Sequence, residues 1–174
     1  MKKIVIGLLF VTSYFGYTQT TAYGYVPRDA NSQVNYAKIG EDANNMLKDF
    51  LKEREEKKSK VLRSSYFSEG TSRYMSKDYQ GALFYYSKAI QLDPTESNAY
   101  YNRGLSKYKL EDYRGAIADY TIAIELKPDT GIFYYKRGIT KLELNQKDSG
   151  CLDLSKAGEL GETDAYEDIK EYCN

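Results

Sequence analysis

The chain has 174 residues, and its 25 basic and 25 acidic side chains give a formal net charge of zero at pH 7. Balanced charge argues against a protein that binds nucleic acid through an overall basic surplus. The absence of histidine removes the commonest general base and the commonest zinc ligand. Hydrophobic residues make up 41% of the sequence, enough for a core, and tyrosine is abundant at 19 residues.

The first 20 residues have the pattern of a secretory signal peptide. Two lysines precede an apolar run from Ile4 to Phe15, which is shorter than the roughly 20 apolar residues of a membrane-spanning helix. Small residues follow the run and allow cleavage ahead of Gln19 or slightly later. We therefore expect residues 1–20 to be removed and the mature protein to be exported, either periplasmic or secreted, with membrane contact only before cleavage. An uncleaved membrane anchor is the alternative.

A linker and a helix are expected next. Residues 21–38 mix Gly, Pro, Asn, Ser and Tyr without a clear period, which indicates a linker. From Ile39 to Leu51, apolar residues recur at steps of three and four, which predicts an amphipathic helix. The stretch KEREEKKSK that follows has no apolar residue, and the predicted segment ends at residue 62. Its apolar half either docks on the following repeats as an N-terminal cap or binds a partner or a second copy of the chain.

A repeat begins after this helix. The segments DYQGALFYYSKAIQLDP and DYRGAIADYTIAIELKP end at Pro94 and Pro128, 34 residues apart, and Gly70, Gly104 and Gly138 have the same spacing. A fixed period of this length is typical of a repeat architecture. Each unit has two segments with apolar residues at helical spacing, joined by a short polar turn, and the prolines end the second helix.

These residues resemble the tetratricopeptide repeat (TPR) family, in a protein of exported bacterial type. The family's 34-residue unit has a small residue at position 8, alanine at 20 and 27, and proline at 32. With units beginning at residues 63, 97 and 131, the matching residues at 20 and 27 are Ala82, Ala116, Ala89, Ala123 and Ala157. The resemblance implies an all-α fold, a right-handed α-solenoid of three helix-turn-helix units with an N-terminal helix and a C-terminal capping helix. The predicted units are 63–96, 97–130 and a divergent 131–162, with the capping helix at 163–174.

Cys151 and Cys173 are the only two cysteines and lie symmetrically about the Gly161 turn. Residues equidistant from the turn of an antiparallel helical hairpin are neighbours, and an exported protein meets an oxidising compartment. A Cys151–Cys173 disulfide is therefore our hypothesis. The alternative is two small hydrophobic residues that never bond.

The family uses the first helix of each unit to line a concave groove. The resemblance places ten residues there, and we call this set the candidate groove: Phe67, Thr71, Tyr74, Tyr101, Asn102, Leu105, Tyr108, Tyr135, Lys136 and Ile139. Tyrosine offers ring area and a hydroxyl at low entropic cost, which suits an extended peptide or a partner helix. The alternative is that several of these tyrosines pack between repeats.

Some TPR proteins hold the terminal carboxylate of a chaperone tail with a basic and amide clamp. At the five corresponding positions this chain has Phe67, Thr71, Asn102, Ile132 and Lys136, of which only Asn102 and Lys136 are compatible. The clamp is therefore not expected.

Function is expected to come from shape. Phosphate-binding and nucleophile motifs are absent from the sequence, so we expect no catalytic residue, no metal and no cofactor. We expect a non-catalytic adaptor or scaffold that binds a protein or peptide in the candidate groove and binds no nucleic acid. The alternative is a self-associating structural subunit of a cell-envelope assembly, a homo-oligomer.

Overall fold

The computed structural model describes residues 36–173, which form seven α-helices and no strand. In chain order the helices are α1 Tyr36–Met75, α2 Tyr79–Leu92, α3 Ser97–Lys109, α4 Tyr113–Leu126, α5 Gly131–Glu143, α6 Lys147–Glu159 and α7 Asp164–Tyr172. The predicted signal peptide and most of the predicted linker lie outside the described residues. Within the described part of the chain, no helix is long and apolar enough to span a membrane.

Contacts divide the chain into two compact parts, residues Met1–Ala43 and Asn44–Asn174. The described residues of the N-terminal part are the exposed start of α1. In the C-terminal part each helix packs on the next, α2 on α3, α3 on α4 and so on to α7. This is the predicted right-handed α-solenoid of three helix-turn-helix units, in which α1 with α2, α3 with α4, and α5 with α6 form the pairs, and α7 caps the stack.

Helix α1 joins segments that the sequence analysis separated. The predicted helix 39–62 and the first helix of the first unit are one continuous helix, which also contains residues 36–38 of the predicted linker. No glycine or proline lies between Gly40 and Gly70, so nothing interrupts the backbone pattern. Lys57 also pairs with Glu53 at 2.7 Å, one turn away, which supports the helix in its charged stretch.

The apolar side chains from Met46 to Leu51 do not pack on the first repeat, so the capping alternative is wrong. Met46 is 73% exposed and Phe50 is 47% exposed. At 1.5 Å per residue, the 40 residues of α1 extend for about 60 Å, whereas the 14 residues of α2 cover about 20 Å. Helix α2 therefore reaches only the last part of α1, from Arg63 onward, where Arg63 pairs with Asp93.

The turn within each pair has the same backbone in all three units. Lys77, Glu111 and Asn145 have positive φ angles of 65°, 62° and 58° and lie 34 residues apart. Asp78 and Asp112 then cap the second helices, because their Oδ1 atoms accept hydrogen bonds from backbone N–H groups at 2.9 and 3.0 Å. The repeat is therefore visible in the backbone as well as in the sequence.

Small residues let the paired helices approach closely. A Cβ on Gly104 would lie 2.7 Å from Cε1 of Tyr120, and a Cβ on Gly70 would lie 2.8 Å from Cδ1 of Tyr86. Five alanines at the predicted positions are fully buried: Ala82, Ala89, Ala116, Ala123 and Ala157. Because the second helix of each pair lies against the glycine face of the first helix, the first helix is left to present its other face to the surroundings.

Candidate functional site

The candidate groove lies on the three first helices, α1, α3 and α5. Thr71 is exposed and the other nine side chains are partly buried. The amide of Asn102 donates to the Asn98 carbonyl at 2.9 Å within its own helix. At the first unit, a shallow recess is lined by Arg63, Ser64, Phe67, Glu96 and Asn98.

Tyr101 serves packing between units as well as the surface. Its ring centroid lies 5.0 Å from that of Phe133 on α5 and 5.9 Å from that of Tyr120 on α4. Burial, with the nearby Tyr74 and Glu162, raises the pKa of Tyr101 to about 12. Much of this ring therefore fills the space between the second and third units, and only part of it is available to a partner.

Tyr74 and Tyr108 occupy equivalent places in the first two units. Each contacts the first residue of the following helix, Tyr79 at 5.5 Å and Tyr113 at 5.3 Å between ring centroids. The Tyr108 hydroxyl donates to Oε1 of Glu143 on α5 at 3.0 Å. Burial, with the Glu143 carboxylate, raises the pKa of Tyr108 to about 12.

Tyr135 lies beside the capping helix. Burial raises its pKa to about 12, and so do a hydrogen bond with Asp168 on α7 and the charges of Asp164 and Glu162. The Lys136 ammonium lies 4.9 Å from the centroid of the Tyr135 ring. The capping helix thus contributes acidic side chains to this end of the candidate groove.

The tyrosines of the second helices reach toward the same surface. The Tyr86 hydroxyl lies 3.2 Å from Oγ1 of Thr71, a member of the candidate groove. Tyr120 occupies the equivalent place in the second unit, where Leu105 replaces the threonine. The Tyr120 side chain is fully buried and its hydroxyl has no hydrogen-bond partner. Burial, with Tyr101, Tyr74 and Tyr108 nearby, raises its pKa well above the ordinary value.

A charged cluster in the second unit was missed by the sequence analysis. The Asp119 carboxylate, 2% exposed, accepts from Nη2 of Arg103 at 2.7 Å and pairs with Nζ of Lys107 at 2.9 Å. Arg103 also contacts Ser87 of the first unit, with Nη1 and Oγ 3.3 Å apart. The cluster therefore connects α3 both to α4 and to the preceding unit.

The third unit repeats this cluster. Asp153 pairs with Arg137 and Lys141 at 2.7 Å each, and Arg137 donates to Oγ1 of Thr121 at 3.1 Å. The signal in the sequence was the 34-residue recurrence of Arg, Lys and Asp at matching places. Charge patterns alone do not distinguish exposed from buried pairs, so the recurrence did not reveal that the two aspartates are buried.

The two cysteines lie in the cap. Cys151 on α6 and Cys173 after α7 form a disulfide with their Cα atoms 5.8 Å apart. Tyr166 also holds α7 to α6, because its hydroxyl donates to the Gly158 carbonyl at 3.1 Å. Among residues 36–173, no group of three or more acidic or cysteine side chains could hold a metal ion.

The stacked helix pairs with a 34-residue recurrence define a helical-repeat protein of the α-solenoid class. Residues 97–130 match the family model described as "Tetratricopeptide repeat", and residues 70–111 match the model described as "TPR repeat". The chain therefore contains tetratricopeptide repeats, as the sequence predicts. No curated protein sequence matches the chain.

Solved TPR structures share the fold. The first TPR of Spaghetti (RPAP3), bound to an HSP90 peptide, has a TM-score of 0.63 and 19% identity, covering 65% of this chain and 91% of that one. The second TPR domain of human RPAP3, in complex with an HSP70 peptide, has a TM-score of 0.63 and 20% identity over 67% and 98%. The TPR2B domain of yeast Sti1 has a TM-score of 0.58 and 23% identity over 64% and 90%. At these identities the likeness shows the fold alone.

Proposed function

We propose that this chain is a non-catalytic adaptor that binds an extended peptide or a partner helix in the candidate groove. The observation that carries this proposal is a row of partly buried tyrosines on successive first helices of a TPR stack. The structural neighbours RPAP3 and Sti1 are TPR domains in complexes with HSP90 or HSP70 ligands, which supports a peptide-binding role for the same type of surface. The TPR fold serves protein interaction, which favours a chain without catalysis.

The place of action in this proposal is outside the cytoplasmic membrane, after export by the predicted signal peptide. The Cys151–Cys173 disulfide supports it, because disulfides persist in oxidising compartments. Cell fractionation followed by intact-mass measurement would test it. A chain recovered in the cytoplasm with residues 1–20 still attached would contradict the proposal.

A pulldown from envelope extract tests the groove. The Tyr108→Ala/Tyr135→Ala variant truncates two groove residues, and the Tyr101 ring is left intact because it packs against Phe133. The matched control is Phe84→Ala/Leu152→Ala, which removes apolar side chains of the second helices α2 and α6 that are 56% and 72% exposed. We expect the groove variant to lose partners and the control to retain them. Equal recovery by both variants would contradict the groove.

Self-association is a second candidate function, favoured by the exposed apolar side chains of α1. Met46, Leu47, Phe50 and Leu51 are each about half exposed or more. Two copies could bury these stripes against each other. Light scattering during size-exclusion chromatography would detect this, and a Met46→Gln/Phe50→Gln variant should then be monomeric. A wild-type monomer at all concentrations would remove this candidate.

A further inference from the structure

We propose that the part of the candidate groove formed by the second and third units selects a basic polypeptide segment, one that carries lysine or arginine side chains. The inference rests on the proposed function of the groove and adds the chemistry of its partner. Two independent observations carry it, the arrangement of charges around the tyrosines and an unpartnered hydroxyl beneath them.

The first observation is an excess of carboxylates. Glu143, Glu162, Asp164 and Asp168 come from α5, the loop after α6, and α7. Glu143 accepts a hydrogen bond from Tyr108 at 3.0 Å, and the Asp168 carboxylate raises the pKa of Tyr135. The charges of Glu162 and Asp164 raise the pKa of Tyr135, and the charge of Glu162 also raises the pKa of Tyr101.

Two ammonium groups oppose these four carboxylates. Lys136 lies over the Tyr135 ring at 4.9 Å, and Lys109 lies over the Tyr108 ring at 6.0 Å. Carboxylates therefore outnumber ammonium groups among the charged groups that these contacts and pKa shifts place beside the three tyrosines. Such an excess attracts cationic side chains and repels anionic ones, and the rings themselves favour a cation over their faces. Oδ2 of Asp168 is buried without a hydrogen-bond partner, so this oxygen could accept a hydrogen bond from a cationic side chain of a ligand.

The second observation is the Tyr120 hydroxyl. It is a buried donor without an acceptor, among Tyr74, Tyr101 and Tyr108. Its equivalent, Tyr86, is satisfied by Thr71 from the candidate groove. A backbone carbonyl of a bound peptide would supply the missing acceptor if the Tyr101 ring rotated aside. An extended peptide with basic side chains meets both needs, because it brings carbonyl acceptors and cations together.

The charges also disfavour an acidic ligand. The peptides bound by the RPAP3 domains, SRMEEVD and SGPTIEEVD, end in acidic residues. Here three of the five clamp positions carry Phe67, Thr71 and Ile132, which have no positive charge, and carboxylates lie beside Tyr108 and Tyr135. We expect this chain to reject such peptides.

Phage display of random 12-residue peptides against the full-length chain provides the test. We expect the enriched peptides to carry net positive charge. Their binding, measured by fluorescence anisotropy, should weaken about tenfold or more when their Lys and Arg are changed to Gln, and it should weaken with added salt. The peptide SRMEEVD should not bind.

Variants of the chain locate the effect. Glu143→Gln/Glu162→Gln/Asp164→Asn removes three of the carboxylate charges and should weaken the selected peptides about tenfold. The control Glu55→Gln/Glu56→Gln/Asp148→Asn removes three exposed carboxylates elsewhere and should bind as the wild type does. Tyr120→Phe should also weaken binding, because the buried donor is lost. Circular dichroism establishes that each variant is folded.

The outcomes separate the two proposals. Enriched peptides that are neutral or acidic, or equal binding by the carboxylate variant and its control, would overturn the basic ligand while keeping the groove. Failure to enrich any peptide would overturn the groove itself, and the basic ligand with it.

Discussion

The first two repeat units have the same backbone but fill the space between their helices differently. In the second unit, buried Asp119 binds Arg103 and Lys107. In the first unit the equivalent residues are Tyr85, Glu69 and Arg73, where Arg73 lies 5.7 Å from the Tyr85 ring centroid and pairs with Glu69 at a largely exposed site. One repeat geometry thus accepts either a buried ion cluster or an aromatic ring with a surface ion pair.

The two units differ in a second way. Tyr86 and Tyr120 both cross the glycine of the paired helix, but only the Tyr86 hydroxyl has a partner, Thr71. The comparison teaches that the small residues set the distance between helices, whereas the polar side chains are adjusted unit by unit. Because Leu105 has no hydroxyl, the buried Tyr120 hydroxyl stays unpaired in the second unit. A ligand that supplies an acceptor can offset the free-energy cost of burying that hydroxyl.

The largest expected effect is at the ion cluster. Asp119→Asn leaves the Arg103 and Lys107 charges without a carboxylate, and removal of one partner from a buried cluster costs about 3 kcal/mol. Glu69→Gln, in an exposed pair of the first unit, should cost less than about 0.5 kcal/mol. Urea unfolding under oxidising conditions measures both. Equal losses would show that the two units do not differ in the proposed way.

The glycines test what the units share. A Cβ on Gly104 or Gly70 meets a tyrosine ring at 2.7 or 2.8 Å, so overpacking of about 3 kcal/mol should exceed the helix gain of about 1. We expect Gly104→Ala and Gly70→Ala each to lose about 2 kcal/mol in the free energy of unfolding. A loss in only one variant would indicate that the two helix pairs are not equivalent.

Matched tyrosine variants should change stability in opposite directions. Tyr86→Phe breaks the hydrogen bond with Thr71 and should lose about 1 kcal/mol, whereas Tyr120→Phe removes an unsatisfied buried hydroxyl and should gain about 1 kcal/mol. Thermal unfolding of the two variants beside the wild type measures this. A loss in both would mean that the Tyr120 hydroxyl has a partner in solution.

Much of the fold follows from sequence periodicity, and much of the site does not. The 34-residue spacing of Gly70, Gly104 and Gly138 predicts stacked helix pairs, because only a regular stack requires small residues at a fixed interval. The stripe around Met46 looks like a packed helix face in the sequence, yet it is exposed. Periodicity shows which face is apolar but not what covers it. Tyr101 likewise belongs to the candidate groove, but its contacts depend on Phe133 in the next unit.

Tyr101 distinguishes the second unit from the first at alkaline pH. Its replacement should have the smallest effect of these variants on the free energy of unfolding at neutral pH. Tyr101 has a pKa of about 12 in the folded chain and an ordinary value of 10.0, while the first unit has Phe67 at the same place. Below pH 10 the hydroxyl is protonated in both folded and unfolded states, so Tyr101 does not make the stability depend on pH there. Between pH 10 and 12 only the unfolded chain releases the proton, and stability falls until the folded pKa is passed.

Tyr101→Phe should therefore reduce the loss of stability between pH 10 and 12 without changing its start. The same substitution should leave stability at pH 7 nearly unchanged, because the ring contacts with Phe133 and Tyr120 remain. Phe67→Tyr places a hydroxyl at the equivalent place in the first unit and serves as the matched variant. Denaturant unfolding at several pH values, together with phenolate absorbance, measures both. If Tyr101→Phe loses stability in parallel with the wild type, Tyr101 is solvated in the folded chain, and its ring is then more open to a ligand than the packing against Phe133 implies.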